Sequence, residues 1–136
     1  MTPDGLIFGP NKSGRKYISL NYHRGSGDNR HKSIWTIKPD EEYGIFCDAD
    51  EGNWQDPNDK GPYWGIFNHG LTEVGSEEER LCKFPYNENS KNPWHGFPFS
   101  TRKAQGPVPS FHFIQDWIDS GVIDKKVGRD IQKRKI

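Results

Sequence analysis

The segment at residues 92–102, NPWHGFPFSTR, constrains the fold of this chain more than any other stretch. It combines two prolines with three large aromatic side chains. Proline fixes φ and lacks a backbone N–H, so the segment suits neither a helix interior nor a central strand. Because its aromatic rings are costly to leave in water, we expect an ordered, packed coil that holds a few polar groups at fixed positions, as binding and catalytic loops do.

The apolar residues predict a core of aromatic and isoleucine side chains. The 136 residues include four leucines, against five Trp, five Tyr and eight Phe, which argues against a plain helix bundle. The 15 glycines and 10 prolines predict many turns. The length suits one domain spanning residues 1–136.

The formal net charge of zero hides a segregation of charge along the chain. Residues 11–38 carry a net charge of +6, residues 40–79 carry −11 and residues 80–136 carry +6. Segregated patches of this kind can bind charged partners. The more common alternative is that the blocks neutralise each other when distant segments meet in the fold.

Alternating apolar residues predict an antiparallel sheet in the first half of the chain. Residues 6–8 form a short apolar run, and residues 16–22 and 33–38 both alternate with a period of two. The glycine-rich stretch between the latter two predicts a hairpin with a long tip at residues 23–31. Two similar units, each an aromatic residue followed by Gly-Ile-Phe, predict further strands at residues 43–47 and 64–68.

Helices are predicted only in the second half. Ser76, with a glutamate three residues later, has the spacing of a capping box for a short helix. Ser110 can cap a helix whose apolar residues recur at three- and four-residue steps. Gly121 fits a left-handed helix end, and Asp124 can cap a second helix, in which Gly128 costs about 1 kcal/mol relative to alanine.

Together these patterns predict an α+β fold. A small, twisted antiparallel sheet from residues 6–68 is expected to pack against one or two C-terminal helices. A long Pro/aromatic coil over residues 85–109 is expected to cover one edge of that sheet.

His95 is the first candidate for chemistry. A histidine base needs a second group to hold it and an opening for substrate. Arg102 could stabilise phosphate charge in a metal-independent phosphodiesterase or ribonuclease-like reaction, and another histidine could assist. The alternative is a hydrogen-bonded structural histidine that anchors a coil.

Two basic regions are candidates for contact with phosphate or nucleic acid. The first, at the predicted hairpin tip, comprises His23, Arg24, Arg30 and His31. The second is the basic tail, which begins in the last predicted helix and comprises Lys125, Lys126, Arg129, Lys133, Arg134 and Lys135. Basic side chains can lie on a phosphate backbone, but both patterns are also typical of ordinary solvated surfaces. The zero net charge argues against high affinity for nucleic acid.

Metal sites are disfavoured by spacing. The acidic stretch at residues 48–59 lacks the glycine at the sixth place of a calcium loop and the glutamate at the twelfth. Cys47, His69, Cys82 and His95 are zinc-ligand types without the close pairs of common zinc sites. We therefore predict no metal and no cofactor. Two reduced cysteines, as in a cytosolic protein, are the simpler expectation for Cys47 and Cys82, and one disulfide is the alternative if the chain is exported.

The remaining patterns bear on location and function. No apolar run approaches the roughly 20 residues of a membrane span, and the first residues lack a signal-peptide pattern, so a cytoplasmic location without a membrane partner is expected. The leading hypothesis is a small, non-catalytic interaction protein of accessory or inhibitor type, such as mobile elements encode. It would bind a charged protein or nucleic-acid partner through the acidic and basic patches and the loop from Trp94 to Arg102, with Trp94, Phe97 and Phe99 as anchors. The alternatives are the histidine-dependent enzyme and a nucleic-acid-binding module.

Overall fold

A computed structural model of the chain describes residues 3–25, 33–56, 61–87, 92–104 and 106–136. The strands in these residues are β1 (Gly5–Phe8), β2 (Tyr17–Leu20), β3 (Tyr63–Ile66), β4 (Leu81–Phe84) and β5 (Phe97–Phe99). The α-helices in these residues are α1 (Pro39–Glu51), α2 (Phe111–Asp119) and α3 (Lys125–Gln132). This combination of antiparallel strands and separate helices confirms the predicted α+β class.

The strands form two small antiparallel sheets rather than the single sheet predicted over residues 6–68. β1 pairs with β2, with Ile7 opposite Ile18. β4 lies between β3 and β5, so that Cys82 is opposite both Gly65 and Pro98. The larger sheet therefore takes most of its residues from the second half of the chain.

The three-stranded sheet separates two hydrophobic cores. Successive side chains of a strand point to opposite faces. In β3, Tyr63 accordingly joins a core that includes Phe46 of α1, while Trp64 joins a core built with α2 and α3. In β4, Phe84 and Leu81 divide between the same two cores. Helices thus cover both faces of the sheet.

The strand predicted at residues 43–47 is wrong, because this segment lies inside α1. Pro39 occupies the first turn, where its missing N–H costs nothing, and acidic residues follow it near the positive helix N-terminus. The backbone N–H of Lys38 donates to Oε1 of Glu41 at 2.9 Å. The buried residues Ile45 and Phe46 then face the sheet. The likeness to β3 is therefore a coincidence of sequence.

The hairpin predicted from residues 16–22 and 33–38 is also wrong. The first segment contains β2, but its partner is β1. The second is an irregular lead-in to α1, in which Trp35 forms an isolated bridge with Gly75. Trp35 is nevertheless buried, and its backbone N–H donates to the carbonyl of His23 at 2.9 Å. Alternation here reflects burial of a coil rather than a strand.

The C-terminal helices agree closely with the sequence. The side chains of Ser110 and Asp124 accept hydrogen bonds from N–H groups in the first turns of α2 and α3. Gly121 has a φ of +80°, as expected for a left-handed turn. The short helix predicted after Ser76 is wrong, since residues 76–80 form a turn that enters β4. Among the described helices, none is both long and apolar enough to cross a bilayer.

The Pro/aromatic segment is ordered and packed, but it is not entirely coil. Residues 97–99 form β5, an edge strand of the larger sheet. Pro98 is tolerated there because an edge strand leaves half of its backbone groups outside the ladder. The prediction of a long coil over residues 85–109 is therefore wrong at this point, whereas the exclusion of a central strand holds.

Candidate functional site

Arg24 is held inside the fold by a buried carboxylate. Its guanidinium donates to Oε1 of Glu42 at 2.6 Å, to Oγ of Ser19 at 3.1 Å and to the carbonyl oxygen of Ile37. Glu42 is fully buried and also accepts from the hydroxyls of Ser19 and Tyr17. Burial raises the pKa of Glu42, against the opposing effect of these donors. The charge of Arg24 is thus compensated within the protein rather than presented to a phosphate.

His23 is the charged neighbour that acts electrostatically on His95. The ring of His23 stacks on Phe97, with centroids 5.5 Å apart, and its Nδ1 lies 2.8 Å from the carbonyl oxygen of Ser33. His95 is half-buried. Desolvation, and then the nearby His23, lower the pKa of His95. The structure therefore supplies His95 with a second histidine, which the sequence left unspecified among four.

Arg102 does not join the histidine pair. β5 separates it from His95, and in the described residues no hydrogen bond or ion pair connects the two side chains. Arg102 is exposed, and its backbone N–H donates to Oγ of Ser100 at 3.2 Å. The histidine-base hypothesis thus has a second imidazole but lacks the arginine that was expected to stabilise phosphate charge.

Trp94 is a core residue that links the two sheets. Its backbone N–H donates to the carbonyl of Lys16, and its backbone carbonyl accepts from the N–H of Ile18. Both distances are 2.8 Å. Its ring is 5% exposed and packs against Phe46. The guanidinium of Arg15 lies 4.8 Å from the ring centroid. Packing accounts for this tryptophan, and its side chain is not presented at the surface.

Phe99 belongs to an aromatic and cationic cluster on the other face of the sheet. Its ring lies 5.0 Å from the ring of Trp64, and the ammonium of Lys83 lies 5.0 Å from its centroid. Burial lowers the pKa of Lys83. Phe97 and Phe99 are both only half-buried. They are the predicted anchors that retain some exposed aromatic surface.

The folded chain brings the acidic block against the basic blocks. Among the described residues, four ion pairs join residues 40–79 to the basic segments on either side: Arg15–Asp50, Lys12–Glu51, Arg24–Glu42 and Lys103–Glu77. Asp50 also accepts hydrogen bonds from the side chains of Asn11 and Ser13. These ion pairs engage four of the twelve acids of the block, three of them with N-terminal cations, which is the neutralisation between blocks that was set against separate patches.

The cations of the C-terminal region remain at the surface. Thr101 donates through its N–H and its hydroxyl to the carbonyl of Ile136, which places residues 102–103 beside residues 133–135. We call the exposed cations of these segments and of the start of α3 the basic C-terminal surface. It comprises Arg102, Lys103, Lys125, Lys126, Lys133, Arg134 and Lys135.

Arg129 has a more structural role than its neighbours in α3. Its guanidinium donates to the side-chain oxygens of Gln115 and Gln132, at 3.1 and 2.5 Å. It also lies 6.0 Å from the ring centroid of Phe111. Phe111 is 58% exposed at the start of α2. From its spacing in the sequence, Phe111 belongs to the apolar face of its helix. The structure shows that its ring is exposed and lies beside Arg129 of α3.

The remaining candidates are two basic residues, the possible metal ligands and the two cysteines. Arg30 and His31 lie outside the described residues. Within the described part of the chain, no three His, Cys, Asp or Glu side chains come together as a metal site. Cys47 is half-buried and Cys82 is buried, and both are free thiols. Four surface clefts lie elsewhere, and none of these four is lined by His95 or Arg102.

Comparisons with known proteins give no functional lead. No family model matches the chain, and neither curated proteins nor solved structures give a significant match.

Proposed function

We propose that this protein is a non-catalytic binding protein that docks on a polyanionic macromolecule through its basic C-terminal surface. The observation that carries the proposal is the unequal use of cations. Three of the five described cations of residues 11–38, Lys12, Arg15 and Arg24, are paired with the acidic block. At the other end of the chain, the basic side chains are exposed, and the Thr101–Ile136 contact brings residues 102–103 near residues 133–135.

Few carboxylates compete for the basic C-terminal surface. In the described residues, five of its seven members make no ion pair, and the other two form the exposed pairs Lys126–Asp130 and Lys103–Glu77. Exposed pairs of this kind contribute about 0–1 kcal/mol, so a polyanion can displace them. α3 has eight residues and spans about 12 Å, so the cations at its two ends lie about that far apart along the chain direction.

The test is charge reversal with a matched control. The triple variant Lys133→Glu/Arg134→Glu/Lys135→Glu reverses one end of the surface, and Lys12→Glu/Lys16→Glu reverses two exposed cations in the N-terminal segment. Binding of a labelled single-stranded RNA and of a labelled polyglutamate is measured by fluorescence anisotropy between 50 and 200 mM salt. The RNA and the polypeptide separate a nucleic-acid partner from an acidic protein surface.

The triple variant should weaken RNA binding at least about tenfold and should lower the slope of log K against log salt by about 2, since each lost phosphate contact on a single strand contributes about 0.7. The N-terminal control should bind like the unaltered protein. Absence of salt-dependent binding to both probes, or equal losses in the two variants, would overturn the proposal.

A further inference from the structure

Trp54 is fixed at the junction of α1 and the larger sheet. Its backbone N–H donates to the carbonyl of Ala49 at 2.8 Å. Its backbone carbonyl accepts a hydrogen bond from the backbone N–H of Trp64, also at 2.8 Å. Its ring meets Trp117 edge-on, with centroids 5.3 Å apart. The ring also covers Gly52, where a Cβ would lie 2.4 Å from the indole nitrogen. The position of the indole is therefore set by both cores and by the end of α1.

Two clefts share Trp54 as a wall. The first, of about 330 Å³, lies between the end of α1 and α2 and is also lined by His112 and Asp116. The second, of about 380 Å³, is also lined by Asp48 and His69. Each cleft therefore combines the same tryptophan with one aspartate and one histidine, and no lysine or arginine is among the described residues that line them.

His69 is held in the second cleft by a strained turn. Asn68 and His69 have φ values of +52° and +57°. Such conformations are uncommon outside glycine and accumulate at functional sites. Nδ1 of His69 lies 3.1 Å from the carbonyl oxygen of Val122. This turn and the contact to Val122 together fix the position of the imidazole at the second cleft.

Asp116 and Asp48 each supply a carboxylate to the lining of one cleft, where it can pair with a positively charged ligand. Asp48 borders the second cleft, and desolvation, followed by the neighbouring Glu51, raises the pKa of its carboxyl. Asp116 lies one helical turn after His112, so both side chains border the first cleft from the same side. An indole face attracts cations more strongly than other aromatic faces.

We propose that the paired clefts around Trp54 bind an organic cation, a guanidinium or ammonium group that contacts the indole and pairs with Asp116 or Asp48. The volumes fit a small ligand or one or two side chains of a peptide. The two clefts contain carboxylates and would bind a cation, whereas the basic C-terminal surface would bind an anion, and the two sites share no residue. The cation site therefore stands independently of the function proposed above.

The experiment follows the indole N–H signal of Trp54 by NMR while the full chain is titrated. The probes are the peptide acetyl-Gly-Arg-Gly-amide, the free amine agmatine and a citrulline peptide that has the same shape without the charge. Binding of the arginine peptide alone identifies a peptide ligand, and binding of agmatine as well identifies the cationic group as sufficient. The variants are Asp116→Asn and Asp48→Asn, with Asp119→Asn as the control on the same helix outside both clefts.

At least one cationic probe should give saturable shifts of the Trp54 signal, and the citrulline peptide should not. Asp116→Asn or Asp48→Asn should weaken binding about tenfold, the usual scale of one charge-assisted contact, whereas Asp119→Asn should bind like the unaltered protein. Equal binding of the citrulline peptide would overturn the proposal. So would unchanged affinity in both cleft variants, or the absence of saturable shifts with both cations.

Discussion

His95 has a lowered pKa because two features of its surroundings disfavour the charged imidazole. Desolvation is the larger cause, and the neighbouring His23 is the second. A folded-state pKa below the unfolded value means that the unfolded chain binds the proton more readily. The contribution of His95 to stability is therefore present above the ordinary pKa of 6.5 and is lost as the pH falls through its folded value.

His23→Gln should raise the pKa of His95 towards, but not up to, its ordinary value, because the electrostatic cause is removed while burial remains. Glutamine retains a polar group near the carbonyl of Ser33. The measurement is an NMR titration of the imidazole signals. The control is His112→Gln, which removes an exposed histidine of α2 and should leave the titration of His95 unchanged. A pKa of His95 that does not respond to His23→Gln would contradict the proximity of the two rings.

At the scale of elements, the contact between α2 and α3 depends on a missing side chain. A Cβ at Gly128 would lie 2.3 Å from Cδ1 and 2.5 Å from Cγ1 of Ile118. Sequence reasoning treated Gly128 only as a residue that weakens its helix. In the fold, this weakness is offset by the close approach of the two helices, which buries Val127 and Ile131 beside it.

Gly128→Ala should therefore destabilise the protein, although alanine favours a helix by about 1 kcal/mol over glycine. Overpacking costs about 1–3 kcal/mol, so a net loss of up to about 2 kcal/mol is expected from urea unfolding. In the background of Ile118→Ala, which removes the clashing atoms, the same change should be neutral or stabilising. Equal effects in both backgrounds would show that the clash is absent.

At the scale of the whole molecule, the three-stranded sheet couples the two cores. Its central strand contributes to both, and the ring of Trp54 packs against both. Loss of either core would leave one face of the sheet in water. We therefore expect the two cores to unfold together, as small compact proteins usually do.

Phe84→Ala tests this coupling. Phe84 is fully buried in the core on the α1 side, and its truncation should cost about 3–5 kcal/mol. Far-UV circular dichroism and the NMR indole signal of Trp117, which lies in the other core, should shift to the same lower urea midpoint. Leu71→Ala, at a residue that is 57% exposed, should change the midpoint little. A native Trp117 signal that persists after the circular dichroism transition would contradict coupled unfolding.

Sequence reasoning located the two C-terminal helices well, for a physical reason. Ser110 and Asp124 satisfy N–H groups of their own helices, so the signal and the structure lie within a few residues of each other. It failed for α1, where the aromatic-Gly-Ile-Phe unit resembled a strand. Pro39 and the acidic residues after it contained the better signal, because they mark a helix N-terminus.

The candidate sites show the same division. The basic character of α3 could be predicted from the sequence, because a run of lysines and arginines is visible without knowledge of any tertiary contact. The pairing of His23 with His95, the burial of Trp94 and the clefts around Trp54 could not, because each joins segments far apart in the chain.

By itself, the sequence determined what depends on neighbouring residues: the α+β class, the capped C-terminal helices, the first two short strands and the exclusion of a central strand at Pro98. The tertiary structure alone decided which strands pair and which charges are neutralised, since Arg24 and Glu42 meet only after folding. It also decided which aromatic rings are exposed. Burial and electrostatic compensation depend on distances in space, and a one-dimensional pattern does not contain those distances.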